Sequence, residues 1–393
     1  MFNPNFLVLW GSQITSQIAL NALYFVLIIK MYELTSSNTV VSILILTFTA
    51  PSIFLGYLAG VYVDQVNLRK VLLITNTIRA FSVLFLIFFI QFQPLVFLLV
   101  FILAVATLFF IPAEGSAIPA LVPETDLIAA NSLFSLSLQT GLIVGFLAGG
   151  FSLNLLGESF TLAAIFTCFI ISVLLSFFLP KNIKSEVKLH KVGLLSSFWD
   201  GIKFIITTKV VRDSIFFLTL TTTIFFILAT IGPGYVDKIL KLNIKFASTL
   251  VIAPAVVGMA IGSVIISHIA NRLTERVLVN IGLLGLGITF LVLASFGNYQ
   301  FGIFFQIFSL FCILLLGIEN AFITIPVTTA FQKNTPEKMR GRAYGLLGTF
   351  ISGVAALPVI LSGAIGDIFG VRTVLTVLGI VVLCFGLYRL RAK

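Results

Sequence analysis

Among the polar and charged residues in the long apolar stretches of this 393-residue sequence are Glu319, Asn320, Glu114 and Arg79. Burying an ionisable side chain in a membrane is costly, and residues of this kind commonly bind protons, ions or substrates. A carboxylate can take up a proton or face a cation, and a guanidinium can pair with an anion. These four residues are therefore our candidates for binding a proton or a charged small molecule.

Each candidate also has a structural interpretation. Glu319, beside Asn320, is the clearest candidate for a proton or a cationic substrate, although it could instead be the partner of a polar neighbour. Glu114 lies near the cytoplasmic end of its stretch, where a base from a loop could pair with it. This position favours a latch or a structural role over proton carriage. Arg79, about ten residues into its stretch, could bind an anion, extend to the interface or pair with an acid.

The first apolar stretch carries a polar face. Gln13, Gln17, Asn21 and Tyr24 follow one another at steps of three and four residues, which places them on one side of a helix. A polar face on a membrane-spanning helix points into the helix bundle. We interpret these residues as the lining of a cavity, and hydrogen bonds between helices would explain them too.

The composition indicates that most of the chain lies in a membrane. Hydrophobic residues make up 59% of the sequence and charged residues 10%, against about 25% charged residues in soluble domains. A helix of about 20 apolar residues spans the hydrocarbon core. The predicted spans are 6–29, 40–60, 71–91, 94–112, 127–150, 157–179, 211–232, 246–270, 277–296, 299–325, 341–363 and 369–389. We therefore predict an all-α membrane protein with about twelve spans, eleven being the nearest alternative.

The net charge of +10 follows the positive-inside rule. With the N-terminus inside, most Lys and Arg residues fall on the cytoplasmic side. The opposite side holds only Lys30, Lys238, Lys241, Lys245 and Arg372. We expect both termini to be cytoplasmic, in a bacterial inner membrane, and nucleic acid not to be a partner.

Other common sites have no sequence support. The first apolar run has no preceding Lys or Arg and is too long for a signal core, so we expect it to be retained. The three cysteines lie inside spans without metal-ligand spacing. A membrane enzyme would need clustered acids or histidines to hold a metal, and the sequence has no such cluster. ATP-driven transport would need a phosphate-binding loop, and the sequence has no such motif. We expect no enzyme activity, no metal and no other cofactor.

The chain divides into two groups of six spans. The predicted parts are an N-terminal half (1–180), a cytoplasmic linker (181–210) and a C-terminal half (211–393). In the linker, apolar residues recur at helical spacing and predict an amphipathic helix at the cytoplasmic interface; they are Leu194, Phe198, Ile202 and Ile205. A solvated linker is the alternative for its first half.

The two halves also show weak internal similarity. Pro123-Glu124 lies 213 residues before Pro336-Glu337. Gly258-x-x-x-Gly262 repeats the spacing of Gly56-x-x-x-Gly60. Two parallel six-helix halves with a site between them are a known transporter architecture.

The stretch 56–70, after the second span, combines glycines with an acid and two bases. It resembles the loop signature of the major facilitator superfamily, in which glycines precede an acid and a closing pair of basic residues. The matching residues are Gly56, Leu58, Ala59, Gly60, Asp64, Arg69 and Lys70. Gln65 and Asn67 stand where the signature has a basic residue and a glycine.

This resemblance implies a conformational latch. Asp64 would contact the N-terminus of span eleven, pair with Arg342 or Arg340, and lock the outward-open state. The implied latch residues are Gly56, Gly60, Asp64, Arg69, Lys70, Arg340 and Arg342. The alternative is a charged turn that only holds the second and third spans together.

The fifth span carries glycines at positions 141, 145, 149 and 150. Small residues four apart allow close helix packing. The stretch from Gly141 to Gly150 also resembles the G-x-x-x-G-P-x-x-G-G signature of facilitator antiporters, with Phe146 in place of the proline. The packing motif therefore comprises Gly141, Gly145, Gly149 and Gly150.

Two further stretches resemble the macrolide-efflux and enterobactin-exporter-like facilitators. One runs from Pro112 to Pro123 and the other from Pro336 to Arg342. The resemblance implies a monomeric exporter of hydrophobic or amphipathic small molecules that works by alternating access and proton antiport. The alternatives are a metabolite, siderophore or lysophospholipid carrier working as an importer or uniporter, or a non-transporting receptor.

Overall fold

The computed structural model describes residues 3–183, 194–269, 272–295 and 302–391. Helices account for nearly all of these residues, and no strand occurs among them. The helices are α1 (Pro4–Thr35), α2 (Asn38–Gln65), α3 (Leu68–Phe89), α4 (Gln93–Leu121), α5 (Leu127–Phe178), α6 (Leu194–Thr207), α7 (Lys209–Gly234), α8 (Ala253–Ile269), α9 (Glu275–Ser295), α10 (Gly302–Asn334), α11 (Glu337–Ile368) and α12 (Val371–Arg391). Helices satisfy their own backbone polar groups, as hydrocarbon requires. The predicted all-α fold class is confirmed.

Eleven helices within the described ranges are long and apolar enough to cross a membrane. One of them, α5, contains two of the predicted spans. Gly157 interrupts α5 with φ 80° and ψ 178°, a left-handed conformation that glycine adopts without steric cost. Ser152 Oγ lies 2.9 Å from Thr161 Oγ1, although a straight helix would separate residues nine apart by about 13 Å. The chain therefore turns back at Gly157, and α5 is a pair of antiparallel spans.

An ion pair closes this turn in α5. Glu158, directly after the break, pairs with Lys30 near the end of α1. Lys30 is buried. Its charge is satisfied within the fold.

The predicted loop 56–70 is mostly helical, which corrects the sequence interpretation. α2 continues to Gln65 and α3 begins at Leu68, so only Val66 and Asn67 separate the two helices. Asn67 caps α3 by accepting a hydrogen bond from the Lys70 backbone N at 3.4 Å. Its Nδ2 donates to the Lys181 carbonyl at 2.7 Å. Asn67, which stands in place of the signature glycine, therefore links the α2–α3 connection to the chain after α5.

The predicted linker helix is present as α6. Ile205 is buried in a cluster with residues of α7, α10 and α11, and Ile202 and Phe204 pack against that cluster. Trp199 is exposed. The first half of the linker, 184–193, lies outside the described residues. Contact of α6 with the membrane interface stays a prediction.

The chain forms two compact units. The first comprises Met1–Leu34 and Leu44–Val192, and the second comprises Thr35–Ile43 and Gly193–Lys393. The main boundary lies in the linker, near the predicted division. The start of α2 belongs to the second unit, because residues 35–43 pack against α7 and α11.

Glycines in the first arm of α5 let that helix approach α1 closely. A Cβ atom at Gly141 would lie 2.9 Å from the Gln17 Cβ, and one at Gly145 would lie 2.6 Å from the Asn21 Cβ. A Cβ at Gly149 would lie 2.9 Å from the Ala22 backbone. Contacts this short are possible only without a side chain. The glycine spacing is therefore used for helix packing, as the sequence indicated.

Gly145→Ala should destabilise the first unit. The added methyl group meets Asn21 and the Ile18 carbonyl oxygen, and overpacking of this kind typically costs about 1–3 kcal/mol. Thermal unfolding of the purified protein in detergent measures the effect. Gly115→Ala is the matched control, because a Cβ there meets nothing within 4 Å. Equal unfolding temperatures for the two variants would contradict the close α1–α5 contact.

Candidate functional site

Glu319 lies on α10 in the second unit, with its carboxylate directed towards α9. Its Oε1 accepts a hydrogen bond from Thr289 Oγ1 at 2.7 Å. Its Oε2 is buried and has no hydrogen-bond partner among the described residues. The ion pairs of the described chain are Lys30–Glu158 and Arg212–Asp213, so Glu319 forms none there. One oxygen of this carboxylate is available to a proton or a polar ligand.

Small residues on α9 make room for this carboxylate. A Cβ at Gly285 would lie 2.7 Å from Glu319 Oε1, and one at Gly282 would lie 2.7 Å from the Glu319 carbonyl oxygen. Both glycines and Thr289 lie along one face of α9, at steps of three and four residues. None of these three residues was predicted from the sequence. Their spacing places them on one face of a helix, but the sequence does not show that this face lies against α10 at Glu319.

Asn320, the neighbour of Glu319, faces a different direction. Its Nδ2 lies 3.9 Å from the Met259 sulfur on α8, and its Oδ1 accepts a hydrogen bond from Thr324 Oγ1 at 3.3 Å. The structure therefore does not pair Asn320 with the Glu319 carboxylate. Consecutive residues on a helix point about 100° apart, which explains the separation.

Arg79 and Glu114 form a buried pair of opposite charges in the first unit. Both residues are almost fully buried, with 1% of their surface exposed. The two groups attract each other electrostatically, but the described chain has no ion pair between them. Arg79 Nη1 donates to Ser16 Oγ at 3.0 Å and Asn76 Oδ1 at 3.3 Å, and the guanidinium lies 4.1 Å from the centre of the Phe110 ring.

These positions bear on two sequence interpretations. Glu114 is buried, and no base from a loop forms an ion pair with it among the described residues. Arg79 does not extend to the interface. It stays within the helix bundle because serine, asparagine and an aromatic ring solvate its charge. Arg79 Nε and Glu114 Oε1 nevertheless have no hydrogen-bond partner among the described residues.

A hydrogen-bonded serine cluster continues from Arg79 through the first unit. Asn76 Nδ2 donates to Ser172 Oγ at 2.9 Å and to Ser176 Oγ at 3.2 Å. Ser12 Oγ lies 2.8 Å from Ser172 Oγ, and Ser172 Oγ also donates to the Ser12 carbonyl at 2.9 Å. The cluster joins α1, α3 and the second arm of α5. It was not foreseen, because serines occur throughout the spans.

The polar face of α1 contacts α5 over much of its length. Gln13 Nε2 donates to the Phe134 carbonyl at 3.2 Å, and the Gln17 and Asn21 Cβ atoms lie against the α5 glycines. Tyr24 stacks on Phe48 of α2, with ring centres 4.0 Å apart. The alternative of hydrogen bonding between helices therefore holds for Gln13. A cavity-lining role of this face stays a prediction.

The residues of the predicted latch are only partly described. The side chains of Asp64, Arg340 and Arg342 lie outside what the structure describes. Arg69 donates through Nη2 to the Phe177 carbonyl and lies over the Phe177 ring. Lys70 is exposed. Arg69 is thus held at the end of α5.

Gly56 and Gly60 differ in packing from the glycines that repeat their spacing. A Cβ at Gly56 would meet only the Leu108 Cδ1, at 3.9 Å, and one at Gly60 would meet nothing within 4 Å. Gly258 and Gly262 instead lie tightly against the α10 backbone. The same spacing therefore serves close packing in the second unit and leaves open space in the first.

No group of three or more His, Cys, Asp or Glu side chains in the described ranges is placed to hold a metal ion. The described residues of the site provide two carboxylates, those of Glu319 and Glu114, that each have an oxygen without a hydrogen-bond partner there. They also provide the buried Arg79 guanidinium and neutral hydrogen-bonding groups. Such groups bind, exchange protons and position helices.

Comparisons with known proteins give consistent matches over the whole chain. The family model described as Major Facilitator Superfamily matches residues 9–359 and 257–392. Macrolide efflux protein A of Streptococcus pyogenes is 23% identical over 97% of this chain and 94% of its own length. The multidrug efflux pump Tap of Mycolicibacterium fortuitum is 24% identical over 88% and 85%.

The fold also matches solved transporters. The crystal structure of the nucleoside transporter NupG superposes with a TM-score of 0.79 at 14% identity and covers 100% of both chains. At this identity the likeness concerns the fold alone.

Replacing Arg79 and Glu114 singly should destabilise the protein more than replacing both. Arg79→Gln leaves the buried Glu114 carboxylate without a compensating charge, and an uncompensated buried charge costs about 3–5 kcal/mol. Arg79→Gln/Glu114→Gln removes both charges and should recover part of that loss. Thermal unfolding of the four proteins in detergent gives the coupling. Lys70→Gln, at an exposed lysine, is the neutral control. If the losses of stability in the two single variants simply add up in the double variant, the two charges do not interact.

Proposed function

Because the chain belongs to the Major Facilitator Superfamily of membrane transporters, we propose that it exports a hydrophobic or amphipathic small molecule by alternating access, driven by proton antiport. The observation that carries the proton coupling is the Glu319 carboxylate, with one oxygen bound to Thr289 and the other buried without a partner in the described chain. We assign the coupling proton to this residue.

The chemistry of Glu319 fits a site whose charge changes during transport. A carboxylate without a counter-ion in apolar surroundings is costly when ionised. A proton or a cationic substrate removes that cost, and the two then compete for the same oxygen. Competition of this kind is what exchange of a proton for a substrate requires, because each ligand displaces the other. Asn320 lies on the adjacent face of α10 and is our candidate for a polar substrate contact.

Glu114 is a weaker choice for the coupling proton. The Arg79 guanidinium offsets part of its charge, and hydrogen bonds hold that guanidinium to α1 and α3. A compensated carboxylate gains less from binding a proton than an uncompensated one. We assign Arg79 and Glu114 to a fixed buried charge pair that supports the first unit and can face a charged group of the substrate.

The proposed substrate class is supported by the relatives. Two proteins that match most of this chain are named as a macrolide efflux protein and a multidrug efflux pump. The sequence adds 41 phenylalanine residues, which offer large apolar and aromatic contact surfaces. A hydrophobic or amphipathic cargo fits both observations.

The charge pattern supports a bacterial inner membrane with both termini in the cytoplasm, and we propose that the protein works as a monomer.

Glu319→Gln should abolish substrate-linked proton movement while the protein remains folded. The experiment uses purified protein in proteoliposomes with a pH-sensitive dye, and ethidium and erythromycin as the first probes of a wider panel. Loss of a group that acts directly in coupling should lower the rate by at least about tenfold. Glu33→Gln is the matched control, because Glu33 is an acid with an exposed side chain.

Three results would contradict this assignment. Transport by the wild type without proton movement would indicate a uniporter or another coupling ion. Unchanged coupling in Glu319→Gln would place the proton elsewhere. Binding of a probe without flux would favour a receptor.

We also propose that Asp64 forms a conformational latch with the start of α11. Asp64→Asn should cut transport of the same probes while leaving the amount of folded protein in the membrane unchanged. Transport in cells and detergent gel filtration provide the two measurements. Loss of folded protein in parallel with transport would indicate that Asp64 only holds α2 and α3 together.

A further inference from the structure

A carboxylate that the transport scheme above does not use lies at the C-terminal end of α11. Asp367 accepts hydrogen bonds from three consecutive residues at the N-terminus of α2. The donors are Ser37 Oγ at 2.6 Å, the Asn38 backbone N at 2.7 Å, Asn38 Nδ2 at 2.9 Å, the Thr39 backbone N at 2.9 Å and Thr39 Oγ1 at 2.6 Å. All these atoms belong to the second unit.

The physics of a helix N-terminus explains this contact. The first backbone N–H groups of a helix have no partner within the helix, and the helix dipole favours a negative charge there. The capping acceptor usually comes from the chain just before the helix. Ser37 Oγ does this locally by accepting from the Val40 backbone N at 3.3 Å, whereas the N–H groups of Asn38 and Thr39 are bound by a residue more than 300 positions later. This second part of the cap of α2 exists only while the first turn of α2 lies against α11.

Glycines shape a close-fitting seat for this turn. A Cβ at Gly363 of α11 would lie 2.7 Å from Ser42 Oγ, and one at Gly234 of α7 would lie 2.6 Å from Asn38 Oδ1. Asn38 and Ser42 are both 0% exposed. Two helices thus have glycine where the turn packs, so that Asn38 and Ser42 are buried, while the Asp367 side chain lies at the exposed edge of this contact.

α2 passes from one unit to the other. Residues up to Ile43 belong to the second unit and residues from Leu44 onwards to the first. A movement of α2 away from α11 must break all the Asp367 contacts together. We propose that Asp367 is a releasable anchor, which holds the α1–α2 turn on α11 in one conformational state and frees it in the other.

This inference rests on alternating access and not on the proton assignment. It complements the proposed Asp64 latch, since Asp64 lies at the other end of α2, about 40 Å away along a helix of 28 residues. Each acid lies near the C-terminal end of its own helix and caps, or is proposed to cap, the N-terminus of the other helix. The two anchors therefore hold opposite ends of the same helix pair and close in alternate states.

Accessibility of a cysteine behind the anchor tests the proposal. Ser42→Cys is introduced after Cys168, Cys312 and Cys384 have been replaced by alanine, and its labelling rate with N-ethylmaleimide is measured in nanodiscs, where both membrane faces are open to the reagent. Asp367→Asn removes the charge and turns an amide towards the donors. It should raise the labelling rate at least about tenfold, which is about 1.4 kcal/mol. Asp64→Asn should lower the rate, because it weakens the opposite anchor.

Matched variants separate release of the anchor from a general loosening of the structure. Thr373 lies near Asp367 in the sequence, but its Oγ1 donates to the Phe369 carbonyl and not to the anchor. Thr373→Val should therefore leave the labelling rate of Ser42→Cys unchanged. Ser37→Ala and Thr39→Val each delete one hydrogen bond to Asp367 and should raise the rate in smaller steps, which keeps the test open if Asp367→Asn does not fold.

The proposal is overturned if labelling of Ser42→Cys is the same in all variants. A rise in Thr373→Val equal to that in the anchor variants would also overturn it, as would a rise in Asp64→Asn. If the wild-type protein shows no substrate-linked proton movement, proton coupling is refuted. The labelling results do not depend on that outcome.

Discussion

Polar groups inside apolar helices need hydrogen-bond partners within the protein, and this requirement underlies the rest of the structure. Many serine and threonine hydroxyls find theirs on their own helix, whereas amides and charges depend on neighbouring helices. Water is not available in hydrocarbon to satisfy a hydroxyl, an amide or a charge. The serine cluster of the first unit meets the requirement by joining α1, α3 and α5 through Ser12, Asn76 and Ser172. Arg79 meets it with Ser16, Asn76 and the face of Phe110. Each buried polar group thus fixes the position of the helices that satisfy it.

The same requirement separates supporting charges from those available for function. Glu114 is partly compensated by the charge of Arg79, and both oxygens of Asp367 accept hydrogen bonds from residues 37–39. Glu319 has a single described donor, Thr289, and a buried oxygen without a partner. A charge that the fold satisfies completely holds helices together. A charge that the fold satisfies only in part can bind a proton or a ligand reversibly. Glu319 and Glu114 both keep an oxygen without a hydrogen-bond partner among the described residues, and Glu319 differs in lacking a nearby base such as Arg79.

Close approach of helices is the second means of support, and glycine provides it. Without a hydrophobic force between helices in lipid, packing at short range contributes much of the association. Gly145 brings α5 against α1, Gly285 brings α9 against the Glu319 carboxylate, and Gly363 brings α11 against the start of α2. Gly60 has the same kind of sequence spacing and no close neighbour. Spacing alone therefore identifies glycines that can pack closely, and the facing helix decides which of them do.

The sequence by itself determined the helical class, the approximate position of the spans, the linker helix and the family, because hydropathy and short-range spacing are local properties of the chain. It also singled out Glu319 and Arg79, since an ionisable residue in an apolar stretch is visible without coordinates. Only the tertiary structure decided that Glu114 faces Arg79, that Thr289 binds Glu319, that α5 turns back at Gly157 and that Asp367 caps α2. These contacts join residues tens to hundreds of positions apart, and their existence depends on the register and rotation of whole helices, which local patterns leave undetermined.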